Sequence, residues 1–147
     1  MSAAERWRLR RLTLEAMAGL CLARMLVAAV PFGWWRGRLG GPAGSRAAGD
    51  PAWSRKLAAH VDRGADRLVF PVRCLPRAMA LSWMLRRRRI GHALVVAIRP
   101  PGQRRADDRL HAWIEADGTI VLGDLPGPWI ELLRIPGVNR GLALPRG

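Results

Sequence analysis

The first half of the chain is patterned for helices. A first helix is predicted from about residue 4 to about residue 30, largely apolar over residues 16–30, and Pro31, a residue type that breaks helices, helps to end it. Residues 33–49 are rich in Gly, Ala and Arg, a composition typical of a loop. Asp50 and Pro51 then suit the cap and the first position of a second helix. This half is therefore expected to hold two helices joined by a long loop.

A third helix is predicted after a short apolar connector. The second helix is expected to end near residues 61–63, because Gly64 follows, and residues 68–72 form the connector. The third helix is expected to run from about Cys74 to about Arg88. One continuous apolar stripe lies along it at i, i+4, i+7 and i+11, formed by Cys74, Ala78, Leu81 and Leu85. Such a stripe indicates a helix packed on a core.

The pattern then changes to that of a sheet. Residues 93–98 form a continuous apolar run typical of a buried strand, and residues 110–116 form a second strand. Asp117 and Gly118 are a strong hairpin signal before a return strand over residues 119–123. Helices followed by a small antiparallel sheet predict an α+β fold.

The last part of the chain is expected to be irregular. Beyond Asp124 it is broken by prolines, and one helical turn is expected near residues 130–133. The length of 147 residues argues for a single domain. Within it we expect a helical part over residues 1–67 and the helix-and-sheet core over residues 68–147.

The charge of the chain first suggests an acidic partner. There are 25 Lys and Arg residues against 11 Asp and Glu residues, giving a formal charge of +14. Lys56 is the only lysine, and the arginines form no single stripe, so the excess resembles the codon usage of a GC-rich genome. We therefore expect no nucleic-acid partner, although a basic nucleic-acid-binding protein without catalysis remains an alternative.

The apolar stretch near the start of the chain mimics a signal peptide. Glu15 and Arg24 bracket or interrupt it, so it lacks the uncharged segment of about 20 residues that a spanning helix needs. We expect an amphipathic or buried helix, no spanning segment and a cytoplasmic protein. Contact with a membrane surface stays open, because basic residues and tryptophans flank the stretch.

The hairpin makes a prediction about chemistry. If Asp117 and Gly118 form a two-residue loop, His111 and Asp124 face each other on neighbouring strands. A carboxylate there can accept a hydrogen bond from one imidazole nitrogen and fix the tautomer. Asp117 is the rival carboxylate, but it lies six residues from His111, or roughly 20 Å along a strand. Asp124 is therefore the preferred partner.

Cys74 is the candidate nucleophile that such a pair would serve. It lies at the predicted start of a helix, where free N–H groups and the helix dipole stabilise a thiolate. The N–H groups of Cys74 and Leu75 could also hold the oxyanion of an acyl intermediate. Cys21, in an apolar helix, is expected to be a buried structural residue. A disulfide between the two cysteines is not expected, because 53 positions separate them and a reducing compartment is expected.

Two motifs carry a family resemblance. A Cys-Leu-x-Arg sequence at residues 74–77 is followed by Gly-His-Ala at 91–93 and by His-Ala-Trp-Ile-Glu at 111–115. In this order the motifs resemble the leader peptidases of lasso-peptide biosynthesis, which are transglutaminase-like cysteine proteases. The resemblance covers about residues 70–125 well and is looser over the helices before them.

The resemblance implies a complete activity. It makes Cys74 the nucleophile, His111 the general base and then acid, and Asp124 the orienting carboxylate, with no metal or organic cofactor. The substrate would be a ribosomal precursor peptide whose leader is removed. Because too few residues precede Cys74 for the recognition domain that some members carry, a separate leader-recognition protein is expected, and an ATP-dependent lasso cyclase would act next. A transglutaminase-type acyltransferase is the alternative enzyme.

Overall fold

The computed structural model describes residues 1–39, 47–48, 51–102 and 110–136. The helices in these ranges are α1 (Ala3–Ala29), α2 (Phe32–Trp35), α3 (Pro51–Arg67) and α4 (Cys74–Arg87). The strands are β1 (Ala47–Ala48), β2 (Ile90–Gly91), β3 (Ala93–Ile98), β4 (His111–Ala116), β5 (Thr119–Leu122) and β6 (Ile130–Pro136). The predicted α+β fold is confirmed. The expected cap Asp50 lies outside the described residues.

The helices pack tightly where small residues meet. On α1, Ala16, Leu20 and Ala23 are fully buried. Gly64 was expected to end the second helix, and that prediction is wrong, because α3 continues to Arg67. A Cβ atom at Gly64 would lie 3.1 Å from Cγ of Met17. Gly64 therefore serves the close approach of α1 to α3, and helix packing outweighs its low helix propensity.

A four-stranded antiparallel sheet lies against the helices in the order β5, β4, β3, β6. Leu94 and Ile114 are fully buried in the hydrophobic core that the sheet shares with the helices. Val95, Ala97 and Trp113 form a second cluster. This alternation is what the two-residue period of a strand demands. The shared core extends from Leu12 to Leu122 and so joins both halves of the chain.

The segment after the hairpin corrects one prediction. Residues 130–133 were expected to form a helical turn, but they belong to strand β6, which pairs with β3. Without β6, strand β3 would present a row of unpaired N–H and C=O groups at the edge of the sheet. Pairing with a distant strand satisfies these groups. A local pattern of only a few residues does not reveal that partner.

The hairpin follows the predicted register for two pairs and then departs from it. Asp117 and Gly118 have positive φ angles of 52° and 73°, as a tight hairpin loop requires. The first pairs are those expected, but Leu122 faces Ile114 instead of Trp113. Val121 is the extra residue of a β-bulge, which shifts all later pairing by one position. The expected direct pairing of His111 with Asp124 does not follow from this register.

His92 is a buried structural residue and gives a first prediction. Its Nε2 lies 2.7 Å from Oγ of Ser82, and its Nδ1 lies 2.9 Å from the carbonyl oxygen of Ile90. The carbonyl accepts from Nδ1–H, so the Ser82 hydroxyl donates to Nε2. Burial, reinforced by the charge of Arg86, lowers the pKa of His92 to about 4. The folded protein therefore holds His92 neutral well below the pH at which a free histidine becomes charged.

Acid is expected to destabilise the fold through His92. Its folded pKa is depressed, so the stabilisation is complete above about pH 6.5 and is lost as the pH falls towards 4. We expect a loss of about 2 to 3 kcal/mol in unfolding free energy between about pH 7.5 and about pH 4.5. Urea unfolding at both pH values measures it. His92→Gln, which cannot become charged, should lose less; an equal loss in both proteins would contradict the prediction.

Candidate active site

Cys74 is the first residue of α4 and is half-buried. Arg73 precedes it in an extended conformation, and its side chain makes no capping hydrogen bond to the helix. Hydrogen bonding within the helix begins at Arg77, whose amide donates to the Arg73 carbonyl over 3.3 Å. The amides of Cys74 and Leu75 therefore point out of the helix end, where the dipole is positive. Both residues lie where the sequence predicted them.

Arg77 braces the chain that leads into Cys74. Its Nε donates to the carbonyl oxygen of Val72 over 3.1 Å, and its Nη1 donates to Oδ1 of Asp62 over 2.9 Å. The guanidinium thus joins the connector and α3 to the first turn of α4. This explains the arginine of the Cys-Leu-x-Arg sequence as a support for the nucleophile's position.

His111, the first residue of β4, meets the thiol of Cys74. Its Nε2 lies within 2.5 Å of the carbonyl oxygen of Gly123. A carbonyl can only accept, so in the neutral ring Nε2 carries the proton. Nδ1 is then the basic nitrogen, which leaves it available to accept the proton of the Cys74 thiol. This is the tautomer that a general base for Cys74 needs.

The surroundings of Cys74 favour its thiolate. Burial opposes ionisation, but hydrogen bonds from His111 and from the amides of Ala112 and Leu75 outweigh burial and lower the pKa of the Cys74 thiol. Because the thiolate is the reactive form of cysteine, this environment distinguishes Cys74 from an inert buried thiol. Cys21, the other free cysteine, is half-buried in α1 and lies outside this environment.

An open cleft of about 390 Å³ gives access to the pair. Its lining includes the three residues predicted as the triad, Cys74, His111 and Asp124, together with Asp62, Val72, Arg77 and Leu122. Asp124 is exposed. The structure thus brings Cys74 and His111 into contact and places Asp124 on the wall beside them. The Asp124 carboxylate was expected to accept a hydrogen bond from the imidazole, but Nε2–H donates to the neighbouring carbonyl of Gly123.

Gly123 can present its carbonyl because it is glycine. Its φ angle is +84°, a region that other residues rarely adopt. A Cβ atom there would lie 2.8 Å from the carbonyl oxygen of Ala112. The Leu-Gly-Asp sequence after β5 was a signal of this role that sequence reasoning did not use.

Trp129 was not foreseen as part of the site. Its ring stacks on the His111 ring with 5.1 Å between the ring centroids. Cζ of Arg99 lies over the Trp129 ring, 4.3 Å from the centroid of that ring. Trp113 also lies 5.9 Å from His111 and is buried, so it walls the site and packs in the core at once. These contacts restrict the rotation of the imidazole.

Glu115 has a charged partner that the hairpin did not suggest. Its cross-strand neighbour is Ile120, as predicted, but its carboxylate bonds Arg134 on β6 over 2.7 Å and accepts from the Trp113 indole over 2.9 Å. The hydrogen bond from Arg134 is the main reason why the pKa of Glu115 is lowered. Glu115 therefore ties β4 to β6 and holds Trp113 in place.

A comparison with protein families gives the site its context. A family model described as the transglutaminase-like superfamily matches residues 16–132. The chain belongs to this superfamily. Searches of curated proteins and of solved structures give no significant match. The transglutaminase-like superfamily is usually enzymatic, with chemistry of the cysteine-protease or acyltransferase type, and the Cys74–His111 pair suits such chemistry.

The histidine on α3 of this transglutaminase-like protein has a structural role. His60 is buried and its Nδ1 is 2.9 Å from Oγ1 of Thr13, so it joins α3 to α1. Its pKa is lowered mainly by burial. In the described part of the chain, no group of three or more His, Cys, Asp or Glu side chains is placed to hold a metal ion.

A pair of aspartates tests the predicted third member of the site. Asp124→Ala is expected to lower turnover by about a hundredfold, because its carboxylate in the cleft wall would no longer stabilise the charged imidazolium of His111, while the Gly123 carbonyl still fixes the tautomer. Asp117→Ala should keep its activity and lose about 1 to 2 kcal/mol of stability, because alanine is strained at a φ of 52°. Steady-state kinetics and urea unfolding measure both. Turnover of Asp124→Ala within threefold of wild type would leave the Gly123 carbonyl as the orienting group.

Proposed function

We propose that the protein is a cysteine peptidase that removes the leader from a ribosomally made precursor peptide during lasso-peptide maturation. The observation that carries this proposal is the Cys74 thiol at the start of α4, hydrogen-bonded to His111 in an open cleft. The motifs at residues 74–77 and 111–115 support the finer assignment, because they resemble those of lasso leader peptidases.

The proposed reaction is acyl transfer to sulfur and then to water. The Cys74 thiolate attacks the scissile carbonyl, and the amides of Cys74 and Leu75 hold the resulting oxyanion. The imidazolium of His111 protonates the leaving amine, which departs as the new N-terminus of the core peptide. His111 then takes a proton from water, whose hydroxide attacks the thioester. The leader leaves with a carboxylate, and the thiol is restored.

The proposed partners follow from the same resemblance. A separate leader-recognition protein would bind the leader and present the scissile bond to the cleft. An ATP-dependent cyclase would then use the freed amine of the core to close the ring. We place all of these steps in the cytoplasm. A short precursor gene and genes for these two proteins beside this one would support the pathway.

Mass spectrometry of the reaction tests the proposal. The purified protein is mixed with a synthetic peptide of the neighbouring precursor, with and without the recognition protein. We expect two fragments whose masses add up to the precursor plus one water. Joined chains in the presence of an added amine would instead identify a transglutaminase-type acyltransferase, the reaction that the superfamily also supports. No change in the peptide under either condition would contradict the peptidase.

A further inference from the structure

One side of α1 is apolar and faces outwards. Four large side chains on this side are 51–68% exposed, and they are Trp7, Leu14, Leu22 and Met25. At 100° per residue these positions and the exposed Ala18 and Ala29 fall within one narrow sector, which we call the outer face of α1 and which contains one charged side chain, Arg11, near its start. The opposite side holds the buried residues Ala16, Leu20 and Ala23. The helix is therefore apolar on both sides, and packing within the fold explains only one of them.

The ends of the outer face carry aromatic and basic side chains. Trp7 lies near the start of α1, and Trp34, just beyond its end, is 81% exposed. Exposed arginines lie near both tryptophans in the sequence. They are Arg8, Arg10 and Arg11 near Trp7, and Arg36 and Arg38 near Trp34. Tryptophan and arginine at the edges of an apolar face are the side chains that favour a membrane interface.

The acidic side chains of α1 do not oppose an anionic surface. Glu15 is engaged by Arg88, with Nη2 and Oε2 2.7 Å apart, and its pKa is lowered chiefly by that hydrogen bond. Glu5 closes the start of the helix, where its carboxylate accepts from the amide of Ser2 over 2.7 Å. Glu15 is therefore paired with Arg88, and Glu5 is held at the helix start with Arg8 as its charged neighbour, so most of the arginines beside the outer face keep their positive charge available.

We propose that the outer face of α1 lies flat on an anionic lipid surface. Within the described residues, α1 is the one helix long and apolar enough to cross a bilayer on length and composition. Spanning would pull Ala16, Leu20 and Ala23 out of the core and break the ion pair of Glu15 with Arg88. A second copy of this chain is a less suitable partner for the outer face. Pairing two such faces would bring their basic ends together, and two chains that each carry a charge of +14 repel one another.

The proposal is independent of the peptidase reaction. No residue of α1 lines the cleft at the start of α4, so membrane contact through the outer face uses different side chains from those of the peptidase site. Binding can therefore be measured on the full chain without any substrate, and failure of one proposal does not affect the other.

Flotation with lipid vesicles tests this inference. The full chain is mixed with vesicles of phosphatidylcholine alone or with a quarter of phosphatidylglycerol. We expect binding to the anionic vesicles, weakened at least tenfold when salt is raised from about 0.1 M to about 0.5 M. Leu14→Gln/Met25→Gln should bind at least tenfold more weakly, because it removes two apolar side chains from the outer face.

A matched double variant controls for general loss of surface apolarity. Val69→Gln/Leu132→Gln changes two side chains that are 99% and 57% exposed and belong to parts of the chain other than α1, and it should bind as the wild type does. Both double variants should melt and cleave precursor like the wild type. Equal binding of both vesicle types, or equal weakening by both variants, would overturn the proposal. So would a lipid-free dimer that Leu14→Gln/Met25→Gln converts to monomer, because the face would then be a self-interface.

Discussion

Alanine at position 74 is expected to give a folded protein that does not cleave the precursor. The substitution removes the sulfur that meets His111, and the remaining amides and imidazole cannot form a thioester. We expect cleavage to fall by at least about a thousandfold. The side chain is half-buried and small, so the melting temperature should change little. Timed digestion of the precursor followed by mass spectrometry measures the rate.

Cys21→Ala is the matched control, because it removes the other free thiol from a half-buried position in α1. It should cleave the precursor at the wild-type rate. Iodoacetamide near neutral pH should modify Cys74 before Cys21 in the wild type, since the pKa of Cys74 is lowered. Cleavage by Cys74→Ala at a rate within tenfold of wild type would exclude Cys74 as the nucleophile.

Glutamine at position 111 is expected to be almost as damaging. Its amide nitrogen can replace Nε2 as donor to the Gly123 carbonyl, so the shape of the site is kept while the base is lost. We expect a fall in cleavage of about a thousandfold or more. The thiol should also lose its main ionising partner, so alkylation of Cys74 should require a higher pH. The pH dependence of iodoacetamide labelling distinguishes this effect from misfolding.

His60→Asn controls for the removal of a buried histidine. The asparagine amide oxygen can take the place of Nδ1 as the acceptor for Arg63, and His60 does not line the cleft. This variant should lose some stability and keep its rate of cleavage. If iodoacetamide labels Cys74 of the His111→Gln variant with the same pH profile as the wild type, His111 does not set the ionisation of the thiol.

The reacting pair could be predicted from the sequence because each member depends on local signals. Cys74 begins a helix with a clear apolar stripe, and His111 begins a strand that a strong turn signal fixes in place. The predicted helix and strand starts differ from the observed ones by no more than a residue. What brings the two together is packing of α4 against β4, which the order of elements in an α+β fold favours.

The rest of the site depends on events that the sequence pattern does not encode. A single bulged residue, Val121, moved the pairing by one place and put a backbone carbonyl where a carboxylate was expected. Trp129 reaches His111 because β6 pairs with β3, a contact between strands more than thirty residues apart. Arg134 finds Glu115 for the same reason. Non-local pairing and one-residue irregularities are therefore what limited the prediction.

The carbonyl of Gly123 has a consequence for how this site tolerates genetic change. The group that fixes the His111 tautomer belongs to the main chain, so truncating side chains one at a time would never remove it. A mutational scan would detect it only through substitutions that add atoms at position 123, where a Cβ meets the Ala112 carbonyl. The orientation of the His111 base thus depends on position 123 having no side chain.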